Sequence, residues 1–290
     1  MINLEIQVSR PGLAPQNNAA IDLAKNVHYD MYIVDKAKQL ASTVNISSYP
    51  DTFTLYTAIC DYYNKPISCT TVGYGATEIL ERIFKALSFK HISIVTPTFE
   101  MMEIYATLYS KKYRTVSVDC LHNDTNEVLY IANPSGLYGY SLELTEISKR
   151  YKLCIIDESY ADFYPQHSML HNIPDNVIIV KTLSKSLGLA GLRVGFCFAS
   201  VAITAKLQEY RSNFVCNSLA PTLVSELIGD TPAVVRRMLK TKMYLESNYN
   251  TEPSVGNFVL FKQSNKLTDK FGYRKVDNTY RMALINKELL

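Results

Sequence analysis

The chain has 290 residues, 47% hydrophobic and 20% charged, enough for a sizeable core and for one large domain or a large domain with a small one. A formal net charge of +3 with both signs interspersed, and no Lys/Arg run, argues against a nucleic-acid partner. No stretch approaches the roughly 18 continuous apolar residues of a membrane span, and MINLEIQVSRPG lacks the charged-then-apolar order of a signal peptide.

Residues 1–40 are irregular and are expected to pack as an arm against a small C-terminal unit. From 41 to 217 short Val- and Ile-rich runs alternate with helix-period segments, as expected of a large α/β domain. GYGATEIL (73–80) leads into a helix, because Ile79, Leu80, Ile83, Phe84 and Leu87 share one stripe. HISIVTP (91–97), RTVSVD (114–119), EVLYIANP (127–134), LCIIDE (153–158), NVIIVKT (176–182) and RVGFCFA (193–199) read as strands. Their near-continuous apolarity suits a mostly parallel sheet covered on both faces, a three-layer α/β/α arrangement. Leu144, Ile147 and Tyr151 predict a further helix over 142–151. After residue 217 the texture changes. A helical stretch over 218–248 precedes two apolar runs, NFVLFK (257–262) and YRMALI (280–285), which suggests a small, abbreviated α+β domain over 218–290.

The six cysteines are scattered, several inside runs such as LCIID and VGFCFAS. They read as buried thiols in a reducing cytoplasm, and no Cys or His spacing suggests a metal.

The loops after the strands carry the polar residues that ligands meet in such folds. In KTLSKSLGLAGLRVGF (181–196), Thr182 and Ser184 offer hydroxyls, Lys185 an amine and Arg193 a fixed cation, a set suited to a phosphate. A plain strand, loop and solvated lysine explains the same segment equally well, and the Walker pattern is absent. Gly75, Ala76 and Thr77 open a helix whose free amides could hold an anion, or form an ordinary glycine turn with a capping threonine. Asp157 ends a buried strand, where a carboxylate needs a cation or a capping role, and Tyr160 follows three residues later. Asn133 in ANPSG offers an amide or merely shapes a turn. Phe99 in VTPTFEMM stacks on a flat ring or joins the core. Pyridoxal 5'-phosphate (PLP) accounts for them together: it needs a lysine, a phosphate cup, a carboxylate at its pyridine nitrogen, donors to its phenolic oxygen and a flat face.

The segment TLSKSLGLAGLRVG resembles the lysine segment of the fold-type I, PLP-dependent class I/II aminotransferases of the histidinol-phosphate aminotransferase kind. The resemblance runs in order from about residue 21 to 285. It implies that Lys185 forms the Schiff base with PLP, and that Thr182, Ser184 and Arg193 grip the phosphate together with the cup of Gly75, Ala76 and Thr77. It further implies Phe99 against the ring, Asn133 and Tyr160 at the phenolic oxygen, and Asp157 at the pyridinium. SSYPD implies that Tyr49 reaches the phosphate of a neighbouring subunit, hence a homodimer, and YRMAL implies Arg281 for the substrate carboxylate. The family's N-x-N-P pocket loop is Asn26-Val27-His28-Tyr29 here, with Asn26 kept for substrate, and Tyr74 stands where Asn is frequent. The activity implied is ping-pong transamination of an amino acid or a phosphorylated amino acid or amino alcohol. A decarboxylase of threonine or serine phosphate, a relative in the same superfamily, is the alternative, and a non-catalytic binding relative the third reading.

Overall fold

The computed structural model describes residues 21–290, so half of the expected 1–40 arm lies outside the described residues. Seven strands form the central sheet: β1 (Thr70–Tyr74), β2 (His91–Val95), β3 (Lys112–Val116), β4 (Val128–Ala132), β5 (Leu153–Asp157), β6 (Val177–Thr182) and β7 (Val194–Phe198). Their order is β1-β7-β6-β5-β4-β2-β3. Neighbours from β6 to β3 are parallel, while β7 runs against both β6 and β1. Thus every strand but β7 delivers its C-terminal end to the same edge.

Strand geometry sends alternate side chains to opposite faces, and these strands are apolar on both. Tyr130, Ile155, Ile178 and Val180 join one core cluster; Leu129, Ile156, Val177 and Ile179 join another on the opposite face. The helices among the described residues are α1 (Met31–Ala41), α2 (Thr52–Tyr63), α3 (Ala76–Ala86), α4 (Met101–Leu108), α5 (Thr145–Ser148), α6 (Leu183–Ser186), α7 (Val201–Glu209), α8 (Leu219–Leu227), α9 (Thr231–Asn248) and α10 (Lys266–Phe271). The stripe expected on α3 is buried at Ile79, Leu80, Ile83 and Phe84.

Several elements differ from expectation, among them the strand expected over 114–119, which is β3 and gives way to a 3₁₀ turn at Val118–Asn123. The helix over 142–151 shrinks to α5, because the Glu143 carboxylate accepts from the Thr145 amide and sets a late start. The stretch over 218–248 divides into α8 and α9 at a 3₁₀ turn, Ile228–Asp230, with Pro232 in the first turn of α9, where a missing N–H costs nothing. β1 was not foreseen: TTVGY holds one aliphatic residue, Val72, and is a strand because β7 pairs with its whole length. Gly195 makes that pairing possible beside α3, since a Cβ there would lie 2.1 Å from the Ala76 amide nitrogen.

A second sheet contains β8 (Thr251–Glu252), β9 (Phe258–Phe261), β10 (Arg274–Val276) and β11 (Thr279–Ala283), in the antiparallel order β10-β11-β9-β8. Residues 23–29 are stitched to it. The Leu23 amide donates to Phe271, the Tyr29 amide to Leu284, and the Ala283 amide to Leu23. Asp30 then caps α1 and pairs with Arg237 of α9 at 2.8 Å. This stitching draws residues 24–28 across the open side of the large sheet.

Candidate active site

A cavity of about 300 Å³ opens where the C-terminal strand ends meet residues 25–27 and the second sheet. The loop after β1 places Ala76 and Thr77 in its wall. Their amides are the first two of α3 and precede its internal bonding ladder, so they point outward as free donors. Gly75 has φ +83°, a conformation that strains a side-chain-bearing residue, and a Cβ there would lie 2.3 Å from Arg193 Nη2. The guanidinium therefore rests directly on the cup's backbone. Thr182 and Ser184 complete this end of the cavity, the Thr182 hydroxyl lying 2.8 Å from the Val194 carbonyl and 3.1 Å from Ser184 Oγ.

Lys185 lies in α6 directly after β6. Its Nζ donates to the Asn26 carbonyl at 2.8 Å and, more weakly, to that of Lys25 at 3.3 Å. Burial and the Arg281 and Arg193 guanidiniums pull the amine down to about 7, against the opposing pull of Asp157. Asp157 ends β5 with its carboxylate held by the Ser159 amide and hydroxyl at 3.0 and 2.5 Å. Burial nonetheless raises its pKa, which marks an anion in search of a buried cation. The Tyr160 hydroxyl accepts from Asn26 Nδ2 at 2.9 Å, and burial lifts the phenol to about 12. Phe99 is 40% exposed and lines the cavity, which excludes the core role.

Arg281 is buried on β11. Its Nη1 donates to the Gly136 carbonyl at 2.7 Å, its Nη2 reaches that of Ala24 at 3.4 Å, and its Nε has no partner among the described residues. Arg274, which sequence reasoning missed, stands directly opposite it in the β10–β11 register and also lines the cavity. Like charges across a strand pair repel, and among the described residues neither arginine has a carboxylate within ion-pair distance. The signal was present in YRKVDNTYR: an Asp-Asn turn between two short strands sets the two arginines face to face.

Two sequence-predicted residues lie elsewhere. Asn133 spends its amide on the main chain of Leu142, donating and accepting at 2.8 Å, and does not line the cavity. Tyr49 is 80% exposed, outside the cavity, and stacks on Phe214 at 4.2 Å. His28 is buried behind Lys185, its imidazole lowered to about 3 by burial, Lys185 and Arg237, and is therefore neutral. Among the described residues no group of three or more His, Cys, Asp or Glu could hold a metal ion, and no helix is long and apolar enough to cross a membrane.

The geometry describes a lysine of lowered basicity between an anion cup, a buried carboxylate and a pair of arginines. The profile of the aminotransferase class I and II family matches residues 19–251, and the chain belongs to that family, whose members are PLP-dependent enzymes. It is 26% identical over 290 residues to the histidinol-phosphate aminotransferase of Pyrococcus furiosus, an alignment covering 90% of this chain and 85% of that one. Histidinol-phosphate aminotransferase from Sinorhizobium meliloti, solved in complex with PLP, superposes with a TM-score of 0.76 at 16% identity, covering 93% of this chain and 87% of the other. L-threonine-O-3-phosphate decarboxylase from Porphyromonas gingivalis superposes at 0.74 with 17% identity, covering 93% and 95%. These two likenesses establish a common fold.

Proposed function

We propose that the chain transfers amino groups between small amino compounds, using PLP held by Lys185, and that its substrate carries a phosphate or a second carboxylate. The observation that carries this reading is the Lys185 amine, lowered to about 7 inside a cavity that also holds Asp157, Arg193 and Arg281.

The donor set fits PLP. The Ala76 and Thr77 amides, the Thr182 and Ser184 hydroxyls and Arg193 match a phosphate, the buried Asp157 suits a protonated ring nitrogen, and Phe99 offers a flat face. Tyr160 reaches the same wall, with Asn26 bonded to its hydroxyl. When bound, the cofactor supplies an electron sink for the substrate's α-carbon. The protein's own part is to hold and move protons. With its pKa lowered to about 7, Lys185 can both accept a proton from the α-carbon and return one near neutral pH. Arg281 and Arg274 supply two guanidiniums for the substrate's anionic groups, and an anion between them relieves their mutual repulsion. Residues 25–27 wall the cavity beside the amine and limit water.

The arginine pair also supports a second reading. If both guanidiniums take a substrate phosphate, the α-carboxylate is left without one, and loss of CO₂ replaces transfer of the amino group. The protein would then decarboxylate an amino-acid O-phosphate. Incubating the PLP-loaded protein with a panel of amino acids and their O-phosphates decides the matter. Conversion of the cofactor to pyridoxamine phosphate indicates amino transfer. CO₂ release with the aldehyde retained indicates decarboxylation. Neither change with any member of the panel sinks both readings.

A homodimer in which Tyr49 serves the neighbouring site belongs to the same proposal. It is supported by an exposed apolar patch, Ile46, Tyr49, Phe53 and Phe214, with 76%, 80%, 68% and 47% of their surfaces in solvent.

A further inference from the structure

Tyr74 sits at the last position of β1, opposite Val194 and so one residue from Arg193. Its ring is half exposed, yet the loop that carries it is held firmly. The Glu78 carboxylate accepts from the Tyr74 amide at 3.2 Å. Arg82, almost wholly buried, grips that carboxylate at 2.5 and 2.8 Å and reaches the Val72 carbonyl at 3.3 Å. This clamp fixes where the tyrosine side chain leaves the strand. The Arg193 guanidinium lies over the ring, its Cζ 5.9 Å from the centroid.

Arg193 needs such help. Its backbone adopts φ 52°, an uncommon state for a residue with a side chain. The guanidinium's one hydrogen bond within the described residues is a weak one, from Nη1 to the Ala190 carbonyl at 3.4 Å. Against Gly75 the guanidinium has contact but no hydrogen-bond acceptor. A ring face attracts a cation without consuming any of its N–H donors. We propose that Tyr74 is a positioning residue for Arg193: the ring holds the guanidinium at the anion cup with its donors free for a phosphate monoester. This rests on the reading of the cup as the cofactor's phosphate site.

The test compares binding of PLP and of pyridoxal, which lacks the phosphate, by equilibrium dialysis. The ratio of the two dissociation constants is the gain from the phosphate. Tyr74→Leu should reduce that gain about three- to fivefold, the worth of a partly exposed cation–ring contact, and leave pyridoxal binding unchanged. Tyr74→Phe, which keeps a ring, should stay within about twofold of wild type. An undiminished gain in Tyr74→Leu overturns the role of Tyr74. So does an equal loss in Tyr74→Phe, which would assign the effect to the hydroxyl, or a parallel fall in pyridoxal binding, which would mean general damage. A wild-type chain that gains nothing from the phosphate overturns the cup reading, and this role with it.

Discussion

The Arg281 guanidinium, after burial itself, is the strongest influence holding the Lys185 amine down near 7. Lys185 lies on the short helix after β6 and Arg281 on the second sheet, and the seam of residues 24–26 touches both, through the Ala24 carbonyl on one side and those of Lys25 and Asn26 on the other. Removing the guanidinium should favour the ammonium form. In Arg281→Leu, the pH midpoint for reaction of Lys185 with pyridoxal should move up from about 7, with slower reaction at neutral pH. A midpoint that stays in place would show that burial alone sets it.

The same shift has a stability consequence. The folded pKa lies below the unfolded value of 10.5, so between about 7 and 10.5 the unfolded chain binds the extra proton. Stability therefore rises with pH through that window and is lowest below it. Lys185→Met, which cannot be protonated, should abolish turnover, yet raise the Tm of the ligand-free protein at pH 7 and lose that advantage above pH 10.5. Matching melting curves at both pH values would refute the burial cost.

Asp157 is raised by burial and pulled back mainly by the Ser159 hydroxyl and amide. Asp157→Ala should keep part of its PLP but lose turnover by about a hundredfold or more. Ser159→Ala deletes only the hydroxyl, so the carboxyl should protonate at higher pH. The acid limb of the pH–rate profile should shift upward, while the limb assigned to Lys185 stays. Normal turnover by Asp157→Ala would remove this residue from the mechanism.

Gly75→Ala places a methyl group against Arg193 in a backbone conformation that disfavours it, at about 1–2 kcal/mol for the backbone alone. PLP affinity should fall about tenfold or more through the displaced guanidinium, with pyridoxal affinity little changed. An equal loss for both ligands would place the damage outside the cup.

Tyr49→Glu inserts a charge into the exposed apolar patch. If the patch joins two copies, sedimentation should show a shift from dimer toward monomer, and PLP retention should fall with it. A wild-type monomer with full activity removes the need for a partner.

Much of the site was legible because the large sheet is built from local signals. Asp157 directly follows an apolar run and Lys185 lies just past the strand that another such run forms, so their place near the strand ends followed from those runs. What stayed hidden depends on pairing and side-chain contacts rather than on apolar periodicity. β1 has too few apolar residues to declare itself and exists through β7. Arg274 gains its place only through the register with Arg281. Asn133 has the side chain of a ligand, but Leu142 claims both ends of its amide, a contact that periodicity cannot reveal. Tyr49 carries no intrachain sign of its use beyond an uncovered ring.

The pairing of residues 23–29 with β11 and its flanks has a consequence for synthesis. A ribosome can release every strand of the large sheet and the lysine itself before Arg281 emerges, yet the carbonyls over that lysine are set in place by contacts with residues 271–286. Until then the nascent protein has a bare amine and an unfinished chamber. Chemical competence thus arrives late and at once, when separations of more than 250 residues close, as between Met31 and Asn286.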